Sequence, residues 1–276
     1  MDKPKKHLEA LKYVRANRIS TVDAAKPPEG EDVCVIKEAA VTIDVDNVET
    51  YTLLCTPTDS QALAAGFLFS EGVIDGMQDV SVLRRCNDDP NIIRIRLSGQ
   101  VPRSDDTDRN LLIVSSCGAC GSKSLSERIR ALPAVGETLR IETGLLRSVH
   151  NVLSEKQCLF KASGGTHGAA VFDHNGTILA WAEDIGRHNA LDKAIGKCLL
   201  ANIPVAGRGV TLTSRLSLEM VLKCARAGIE MITAVSAPTS MAIDVALTCG
   251  ITLCAFVRDT RATVFAHPGR VIGMGK

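Results

Sequence analysis

The sequence predicts an α/β fold in which a mixed, largely parallel sheet is flanked by helices, with a smaller α+β unit before it. The second half of the chain carries the clearest signal, because short apolar segments with strand character alternate there with helical segments. Such a strand–helix–strand series with short links is typical of a parallel sheet covered by helices. In the first half, apolar and polar residues alternate as they do in half-buried strands. A chain of 276 residues is long enough for one large domain or two modest ones.

Three segments are predicted along the chain. Residues 1–30 are expected to be a poorly ordered lead-in, and residues 31–108 a small N-terminal α+β unit. Within this unit, two or three strands surround a turn at Asp46–Asn47, and the strands VSVLRR and NIIRIRLSG flank the turn CNDDPN. The polar stretch 99–110 is the candidate boundary, and residues 109–276 are then expected to form the α/β core.

Turn and capping residues predict where the other elements begin and end. The helix in PTDSQALAAGFLFSEGVI can be capped by Asp59 or Ser60 and ended by Gly72. GAAVFDHNGTILAWAE predicts a hairpin, because Asn175–Gly176 suits a turn that needs positive φ. RHNALDKAIGKCLLAN gathers apolar residues on one helical face. The strands GVTLT, IEMITAV and ITLCAFV then alternate with the helices SLEMVLKCARAG and PTSMAIDVALTCG, each of which has a glycine past its end.

Composition and charge exclude several classes of function. The chain has 32 lysines and arginines and 31 aspartates and glutamates, which gives a formal net charge of +1. The overall charge therefore does not favour binding to nucleic acid or to an acidic membrane. Aromatic residues make up 3% of the chain, too few for a platform that stacks single-stranded nucleic acid. No apolar run is long enough to span a bilayer, and the N-terminus lacks the apolar region of a secretory signal. Ten cysteines, most of them single within apolar stretches, further indicate the reducing cytoplasm.

The ends of the core strands predict a ligand site. Ligands in such sheets bind beyond the carboxyl ends of the strands, which are followed here by TSR, SAPTS and RDTR. Hydroxyls, guanidinium groups and the amides of helix N-termini suit phosphates, so the sequence predicts an anionic, nucleotide-like ligand. The alternative is that Ser214, Ser236 and Thr239 are helix caps and that the arginines are merely solvated.

Two further segments carry candidate functional residues. SGGTHGAA places two glycines and a histidine before a strand, and EDIGRHNALDK places Arg187 and His188 at the start of a helix. A cation at a helix N-terminus opposes the helix dipole, which indicates either a bound anion or a nearby carboxylate such as Glu183 or Asp184. A purely structural interpretation is equally open, in which Asp184 caps the helix and His188 packs against it.

The stretch SSCGACGS contains a close pair of cysteines, Cys117 and Cys120. Ser124 and Glu127 form a capping-box pattern, so the pair is expected just before a helix N-terminus, with Lys123 as a nearby positive charge. In general, a thiol in such a position can fall in pKa from about 8.5 to roughly 3.5–7.5. The pattern therefore favours thiolate chemistry, although a CxxC pair by itself is not specific.

Several chemistries compete for this pair. Structural zinc needs four ligands, and the chain has no second CxxC. A deaminase zinc site requires an HxE segment, and none of the six histidines has a glutamate two residues later. A thioredoxin-like dithiol lies near the start of its fold, whereas more than a hundred residues precede this pair. A thiolate that accepts sulfur as a persulfide, with its neighbour assisting or resolving, is the remaining hypothesis.

Six sequence blocks, in order, resemble the signature blocks of the formate dehydrogenase accessory protein family (FdhD/NarQ). The resemblance covers the chain from about residue 33 to 270, and it is carried by LAAGFLFSEGVI, SSCGACGS, GGTHGAAVFD, EDIGRHNALDKAIG, EMVLKCARAGI and SAPTSMAIDVALTCGITLCAFVR. Two positions depart from the family pattern. Ser214 replaces a common glycine, which narrows the approach of a ligand to the backbone, and Ser163 stands where threonine is frequent.

The resemblance implies a cytoplasmic sulfurtransferase that acts through a cysteine persulfide. It implies transfer of sulfur from a cysteine desulfurase to the molybdenum cofactor, bis-molybdopterin guanine dinucleotide, before that cofactor enters the catalytic subunit of formate dehydrogenase. It further implies a cytidine-deaminase-like sheet without the zinc, and a homodimer. By motif, Cys117 matches the persulfide-bearing cysteine and Cys120 its partner. The family's cofactor-binding stretch matches Phe256, Val257, Arg258, Asp259, Thr260 and Arg261.

Taken together, these inferences give a sulfur relay as the functional hypothesis. Cys117 holds the sulfur, Arg215, Arg258 and Arg261 neutralise pyrophosphates, and Ser236 and Thr239 donate hydrogen bonds to the ligand. Guanosine diphosphate is the expected ligand analogue, and no metal is expected to be ligated by the protein. Two alternatives are a non-catalytic chaperone that binds the cofactor and the target enzyme, and a zinc-dependent nucleoside deaminase.

Overall fold

The computed structural model describes residues 9–23, 25–99, 110–113, 129 and 132–273. Cys117 and Cys120 lie outside this part of the chain. The mixed α/β architecture with flanking helices confirms the predicted fold class. Among the helices of the described residues, none combines the length and the apolar character needed to cross a membrane.

The larger sheet has six strands and is parallel in its centre. Its order is β10-β9-β11-β12-β13-β14, where β11, β12 and β13 run parallel while β9 and β14 run antiparallel to their neighbours. The strands are β9 (His167–Phe172), β10 (Ile178–Asp184), β11 (Gly209–Leu212), β12 (Met231–Ala234), β13 (Thr252–Arg258) and β14 (Arg261–Ala266). The three parallel strands are the three that the alternation of strands and helices predicts.

Helices cover both faces of this sheet. One face packs against α4 (Arg187–Leu200), α5 (Leu218–Arg226) and α6 (Ser240–Cys249), and together they form the largest apolar core. The other face packs against α2 (Thr143–Lys156), which α3 (Cys158–Ser163) follows. Since neighbouring residues of a strand point to opposite faces, four-residue strands such as β11 and β12 are buried at every position.

The N-terminal unit is built on a five-stranded sheet with one helix. Its order is β5-β6-β3-β4-β7, and α1 (Ser60–Ser70) packs on it through Leu63, Phe67 and Leu68. The strands are β3 (Ala39–Val45), β4 (Glu49–Cys55), β5 (Val80–Arg85), β6 (Ile92–Leu97) and β7 (Asn110–Ile113). The segment of β7 was assigned to the core by sequence, but it pairs in parallel with β4. A short apolar strand does not itself specify its partner, and the boundary at residues 108–109 stays a prediction.

A two-stranded ribbon and a two-residue pairing complete the strands. β1 (Leu11–Arg18) pairs antiparallel with β2 (Glu29–Ile36), and β1 lies within residues 1–30, which were predicted as a poorly ordered lead-in. Ion pairs between the two strands, such as Arg18 with Glu31 at 2.8 Å, accompany the pairing. β8 (Ile141–Glu142) pairs with β15 (Val271–Ile272) near the end of the described chain.

The predicted helix ends are mostly confirmed. Gly72, Gly228 and Gly250 follow α1, α5 and α6 with φ of 76°, 66° and 77°, a conformation in which a side chain is strained. Asp59 precedes α1, as predicted, but its side chain does not cap the helix. The carboxylate of Asp59 instead forms an ion pair with Lys197 at 2.7 Å.

The N-terminal unit and the core meet where α1 crosses α4 without intervening side chains. A Cβ atom on Gly66 would lie 1.8 Å from the carbonyl oxygen of Asp192, and one on Gly196 would lie 1.9 Å from that of Ala62. Both obstacles are backbone atoms, so neither helix can yield by rotating a side chain. The two glycines thereby set the distance between the helices.

We expect Gly196→Ala to destabilise the protein by about 3 kcal/mol, because overpacking forces the two backbones apart. Urea unfolding measures this change. Gly144→Ala is the matched control, since Gly144 lies within α2 and a Cβ there meets nothing within 4 Å. The control should be neutral or gain up to about 1 kcal/mol from helix propensity. Equal stability of the two variants would show that the α1–α4 contact is not tight.

Candidate functional site

The carboxyl ends of four strands meet at one edge of the six-stranded sheet, which we call the C-terminal edge. β10, β11, β12 and β13 all run toward it, and α4, α5 and α6 begin there after the first three of them. β9 runs the other way, so that its first residue, His167, lies at the same edge opposite Asp184. This edge therefore gathers three helix N-termini, which is the arrangement that phosphate groups favour.

The connections that leave β11 and β12 lie side by side. The backbone amide of Leu216 donates to the carbonyl of Ala237 at 3.0 Å, and the amide of Thr239 donates to the carbonyl of Leu216 at 2.9 Å. The connection after β11 is also joined to β9, because Thr213 Oγ1 accepts a hydrogen bond from the amide of Gly168 at 2.8 Å. The two loops that carry predicted site residues are thus fixed relative to each other.

The three predicted site residues of these loops, and Ser214 beside them, differ in their surroundings. Arg215 is exposed, and Ser236 is half-buried with its carbonyl accepting from Phe256 N at 3.2 Å. Thr239 Oγ1 accepts from the amide of Ala242 at 3.3 Å and so caps α6, the structural alternative that the sequence left open. The hydroxyl of Ser214 is turned inward and donates to the carbonyl of Arg215 at 3.2 Å.

The predicted cofactor-binding stretch lies at the turn between β13 and β14. Phe256 has a φ of 53°, unusual for a non-glycine residue, and the register of the ladder shifts between Ala255 and Arg258. Val257 is buried beside α2, whereas the residues of the turn are exposed: Arg258, Asp259, Thr260 and Arg261. In this irregular stretch of backbone, buried Val257 is therefore followed directly by four exposed polar side chains at the C-terminal edge.

Arg147 on α2 holds this turn in place. Its guanidinium lies 2.9 Å from the carboxylate of Asp259 and donates to the Asp259 carbonyl at 3.0 Å. Arg147 could not be identified from the sequence, because no local pattern relates it to the β13–β14 turn more than a hundred residues later. Asp259 is thus engaged within the protein, which leaves Arg258 and Arg261 as the cations of the turn.

Glu183 and Asp184 both make structural contacts, and Asp184 lies beside the start of α4, where it accepts from the amide of Gly186. The carboxylate of Glu183 accepts from the amides of Leu159 and Phe160 at 3.0 and 2.8 Å, and from the hydroxyl of Thr166 at 2.9 Å. These bonds fix the start of α3 and the residue before His167. Both carboxylates are buried, and each is satisfied by neighbours that only the folded chain brings together.

The carboxylate of Asp184 forms an ion pair with Lys193 on α4 at 2.5 Å, and both side chains are fully buried. It also accepts from the amides of Thr56 and Gly186 at 3.0 and 2.8 Å. Asn189 adds a further bond at 3.0 Å. Because Thr56 directly follows β4, this network joins the N-terminal unit to the C-terminal edge.

Glu219, on the first turn of α5, brings a carboxylate close to His188. His188 Nε2 lies 3.9 Å from the carboxylate of Glu219. Burial raises the pKa of Glu219, but its own backbone amide, the Ser217 hydroxyl and the charges of His188 and Arg187 outweigh burial and lower it. Glu219 is therefore anionic at neutral pH.

The charges of two arginines, Arg187 and Arg215, act on His167. Burial lowers the pKa of its imidazole, and the charges of Arg187 and Arg215 lower it further, against an opposing effect of Asp184. The imidazole is half-buried and neutral at pH 7 in the absence of a ligand. The motif GGTHG singled out this residue in the sequence, but the proximity of Arg187 and Arg215 follows only from the fold.

Most of the described cysteines are poor nucleophiles. Burial raises the pKa of Cys55 and Cys254 to about 12 and that of Cys198 to about 11. Burial also raises the pKa of Cys224 and of Cys249.

The other described cysteines are Cys34, Cys86 and Cys158. Hydrogen bonds from the backbone amides of Asp89 and Asp88 lower the pKa of Cys86, while Cys158 is exposed and Cys34 is half-buried. No disulfide occurs among the described residues. The expected role of most cysteines as small buried hydrophobes thus agrees with their burial.

A cleft of about 530 Å³ lies in the N-terminal unit, and none of the described predicted site residues lines it. It is lined mainly by the ends of β2 and β3, the start of α1 and the turn between β5 and β6. Within the described part of the chain, no three histidine, cysteine or acidic side chains come together as a metal site would require.

Comparisons with known proteins identify the family. The family model described as "FdhD/NarQ family" matches residues 36–272, which is most of the chain. The chain belongs to the FdhD/NarQ family. The resemblance drawn from the six sequence blocks is thereby confirmed, and the FdhD/NarQ match spans both the cysteine pair and the C-terminal edge.

Curated FdhD/NarQ relatives are similar over nearly their whole length. The sulfur carrier protein FdhD of Bordetella bronchiseptica is 37% identical over 247 residues, 88% of each chain. That of Saccharolobus solfataricus is 34% identical over 263 residues, which cover 94% of this chain and 99% of the relative. A solved structure described as a formate dehydrogenase accessory protein from Desulfotalea psychrophila has a TM-score of 0.75 at 24% identity, over 95% of this chain and 100% of its own. This last likeness concerns the fold.

Proposed function

We propose that the protein is a sulfur carrier that accepts persulfide sulfur from a cysteine desulfurase and transfers it to bis-molybdopterin guanine dinucleotide for formate dehydrogenase. The observation that carries the proposal is the FdhD/NarQ match over residues 36–272, with relatives named sulfur carrier protein. The helix N-termini and arginines at the C-terminal edge support the nucleotide part of the proposal. The catalytic subunit of formate dehydrogenase, a homodimeric state and a cytoplasmic location belong to the same proposal.

The sulfur relay needs two thiols. The Cys117 thiolate attacks the outer sulfur of the donor's persulfide, the S–S bond of the donor breaks, and the donor leaves as a thiolate. Cys117 then carries the sulfur as a persulfide. Attack of the Cys120 thiolate on the inner sulfur releases hydrosulfide to the cofactor and leaves a disulfide, which an external dithiol reduces before the next cycle. The cofactor is the substrate of this step and not a resident group.

The C-terminal edge holds the guanine dinucleotide in this proposal. Arg215, Arg258 and Arg261 are exposed and lie at the ends of β11 and β13, where they can pair with pyrophosphate oxygens. Ser236 adds a hydroxyl between them, and Thr239 contributes as the cap of α6. Guanosine diphosphate is the simplest probe that contains the same phosphates and base.

Mass spectrometry after sulfur loading tests the proposal. The protein is incubated with a cysteine desulfurase and cysteine, and the peptide that contains Cys117 should gain about 32 Da, the mass of one sulfur atom. The peptides of Cys86 and Cys158 serve as internal controls, since hydrogen bonds from backbone amides lower the pKa of Cys86 and Cys158 is exposed. An unmodified Cys117 peptide, with guanosine diphosphate still bound, would favour a cofactor chaperone. One tightly held zinc per chain would favour a deaminase.

A further inference from the structure

A second cationic group lies at the C-terminal edge, apart from the Arg258–Arg261 turn. It consists of His167 at the start of β9, Arg187 as the first residue of α4, and Arg215 in the connection after β11. His167 pairs with Asp184, the residue three before Arg187, and Gly168 is hydrogen-bonded to Thr213, two residues before Arg215, so the three residues lie in one region of the edge. We call these residues the His167 cluster.

The His167 cluster has an excess of positive charge. Asp184 is compensated by Lys193, with which it forms a buried ion pair. The carboxylate of Glu183 is occupied by two amides and a hydroxyl. The Glu219 carboxylate interacts with the charges of Arg187 and His188. Its single negative charge is fewer than the two positive charges of Arg187 and Arg215.

The start of α4 adds to this excess. The 14-residue helix has no acidic residue in its first turn. Asp184 accepts from the amide of Gly186 just before the helix, but its charge is paired with Lys193, so the helix dipole adds to the positive potential at the cluster. Arginine at this position is unfavourable unless an anion is present nearby. The dipole and the net side-chain charge therefore favour the same kind of ligand.

A buried donor in the cluster lacks a partner. The Nε atom of Arg187 is inaccessible to solvent and makes no hydrogen bond with any described residue. Leaving a charged donor buried and unsatisfied is costly, and such groups normally have a partner in the functional protein. An oxygen atom of a bound phosphate would supply one, and a guanidinium fork matches phosphate geometry.

We propose that His167, Arg187 and Arg215 form a phosphate-binding subsite in which His167 takes up a proton when the phosphate binds. The two guanidinium groups bind the phosphate oxygens, and their charge is then neutralised. The imidazole, no longer repelled, gains a proton from solvent and donates a charged hydrogen bond to the ligand. Asp184 on β10 favours this protonation, while Arg187 and Arg215 oppose it until the anion is present.

The subsite serves a different phosphate group from the Arg258–Arg261 turn. β11 and β13 are separated by β12, and so their ends lie about 10 Å apart across the sheet. A ligand with several phosphates along its length can reach both groups. That this ligand is a guanine dinucleotide rests on the proposed function, whereas the phosphate chemistry does not.

Calorimetric titration with inorganic pyrophosphate and with guanosine diphosphate tests this subsite. Each titration of the full-length protein is made at pH 7.5 in two buffers of different ionisation enthalpy, which gives the number of protons taken up on binding. We expect proton uptake with the wild type and clearly less with His167→Gln. Protons that the ligand itself gains or loses contribute equally to both measurements, so the difference between them reports the protonation of His167. His174→Gln, at an exposed turn, is the matched control and should behave as the wild type.

Arg187→Gln should weaken the binding of pyrophosphate about tenfold or more, since it removes a charged hydrogen-bond donor. Arg187→Lys keeps the charge but lacks Nε, and we expect it to lie between the wild type and Arg187→Gln. Arg84→Gln, in the N-terminal sheet and exposed, is the control for loss of one positive charge. Thermal unfolding of each variant shows that it is folded.

Two results would overturn the subsite. The first is an unchanged pyrophosphate affinity in folded Arg187→Gln, and the second is equal proton uptake in His167→Gln and the wild type. Binding of pyrophosphate that depends on Arg187, without any preference for guanosine diphosphate, would support the subsite and contradict the nucleotide part of the proposed function. Sulfur loading of Cys117 is measured separately, so failure of the relay leaves this test intact.

Discussion

Cys117→Ala will accept no sulfur from a desulfurase and will not support formate dehydrogenase maturation. The substitution removes the thiolate on which the proposed relay depends, and the buried cysteines cannot replace it. A thiol whose pKa is about 12, such as Cys55 or Cys254, is ionised at pH 7 in only about one molecule in 100,000. Sulfur loading by mass spectrometry and formate dehydrogenase activity in a maturation assay measure the loss.

The controls for this variant are Cys86→Ala and Cys158→Ala, which should both retain sulfur loading. Cys86 has a lowered pKa and Cys158 is exposed, so these are the described thiols best able to react by themselves. Binding of guanosine diphosphate should be unchanged in Cys117→Ala. Full activity of Cys117→Ala in the maturation assay, with Cys86→Ala or Cys158→Ala inactive, would move the sulfur-carrying role to another thiol.

Lys193→Met should destabilise the protein by about 3–5 kcal/mol, the usual cost of breaking a buried ion pair by removing one partner. The Asp184 carboxylate would stay buried without its cation, and Lys193 Nζ would no longer donate to the carbonyl of Thr56. Since Thr56 follows β4, the damage would extend to the contact between the N-terminal unit and the core. Urea unfolding, monitored by the fluorescence of the single tryptophan, measures the loss.

Lys197→Met is the matched control, one turn further along α4. Lys197 also forms an ion pair, with Asp59 at 2.7 Å, but its side chain is 30% exposed. Water can solvate the remaining carboxylate there, so we expect a loss of about 1 kcal/mol or less. The double variant Asp184→Leu/Lys193→Met should recover part of the stability lost in Lys193→Met. Equal losses in the two lysine variants would show that the buried pair has no special importance.

The sequence predicts the elements that have local signals. Gly228 and Gly250 mark helix ends because only glycine adopts their conformation without strain, and Gly176 lies in the hairpin turn for the same reason. The parallel order of β11, β12 and β13 follows from their alternation with helices. β1 and the partner of β7 could not be predicted in this way, because both depend on pairing with strands that the sequence does not specify.

The candidate site is predictable to the extent that it follows strand ends. Arg215 and the Arg258–Arg261 turn occupy the C-terminal edge because parallel strands bring their exits together. The contacts of Arg147 with Asp259 and of His188 with Glu219 join residues from different parts of the chain. No period or motif encodes such contacts, and for that reason the sequence could not identify Glu219 as a carboxylate near His188.

The crossing of α1 and α4 limits how the molecule can move. Main-chain atoms of Gly66 and Gly196 abut the opposing helix, so sliding or tilting of one helix against the other brings backbone into backbone. The five-stranded sheet therefore cannot swing on a hinge over the six-stranded one. In the proposed sulfur transfer, we therefore expect any rearrangement to involve segments outside the α1–α4 contact.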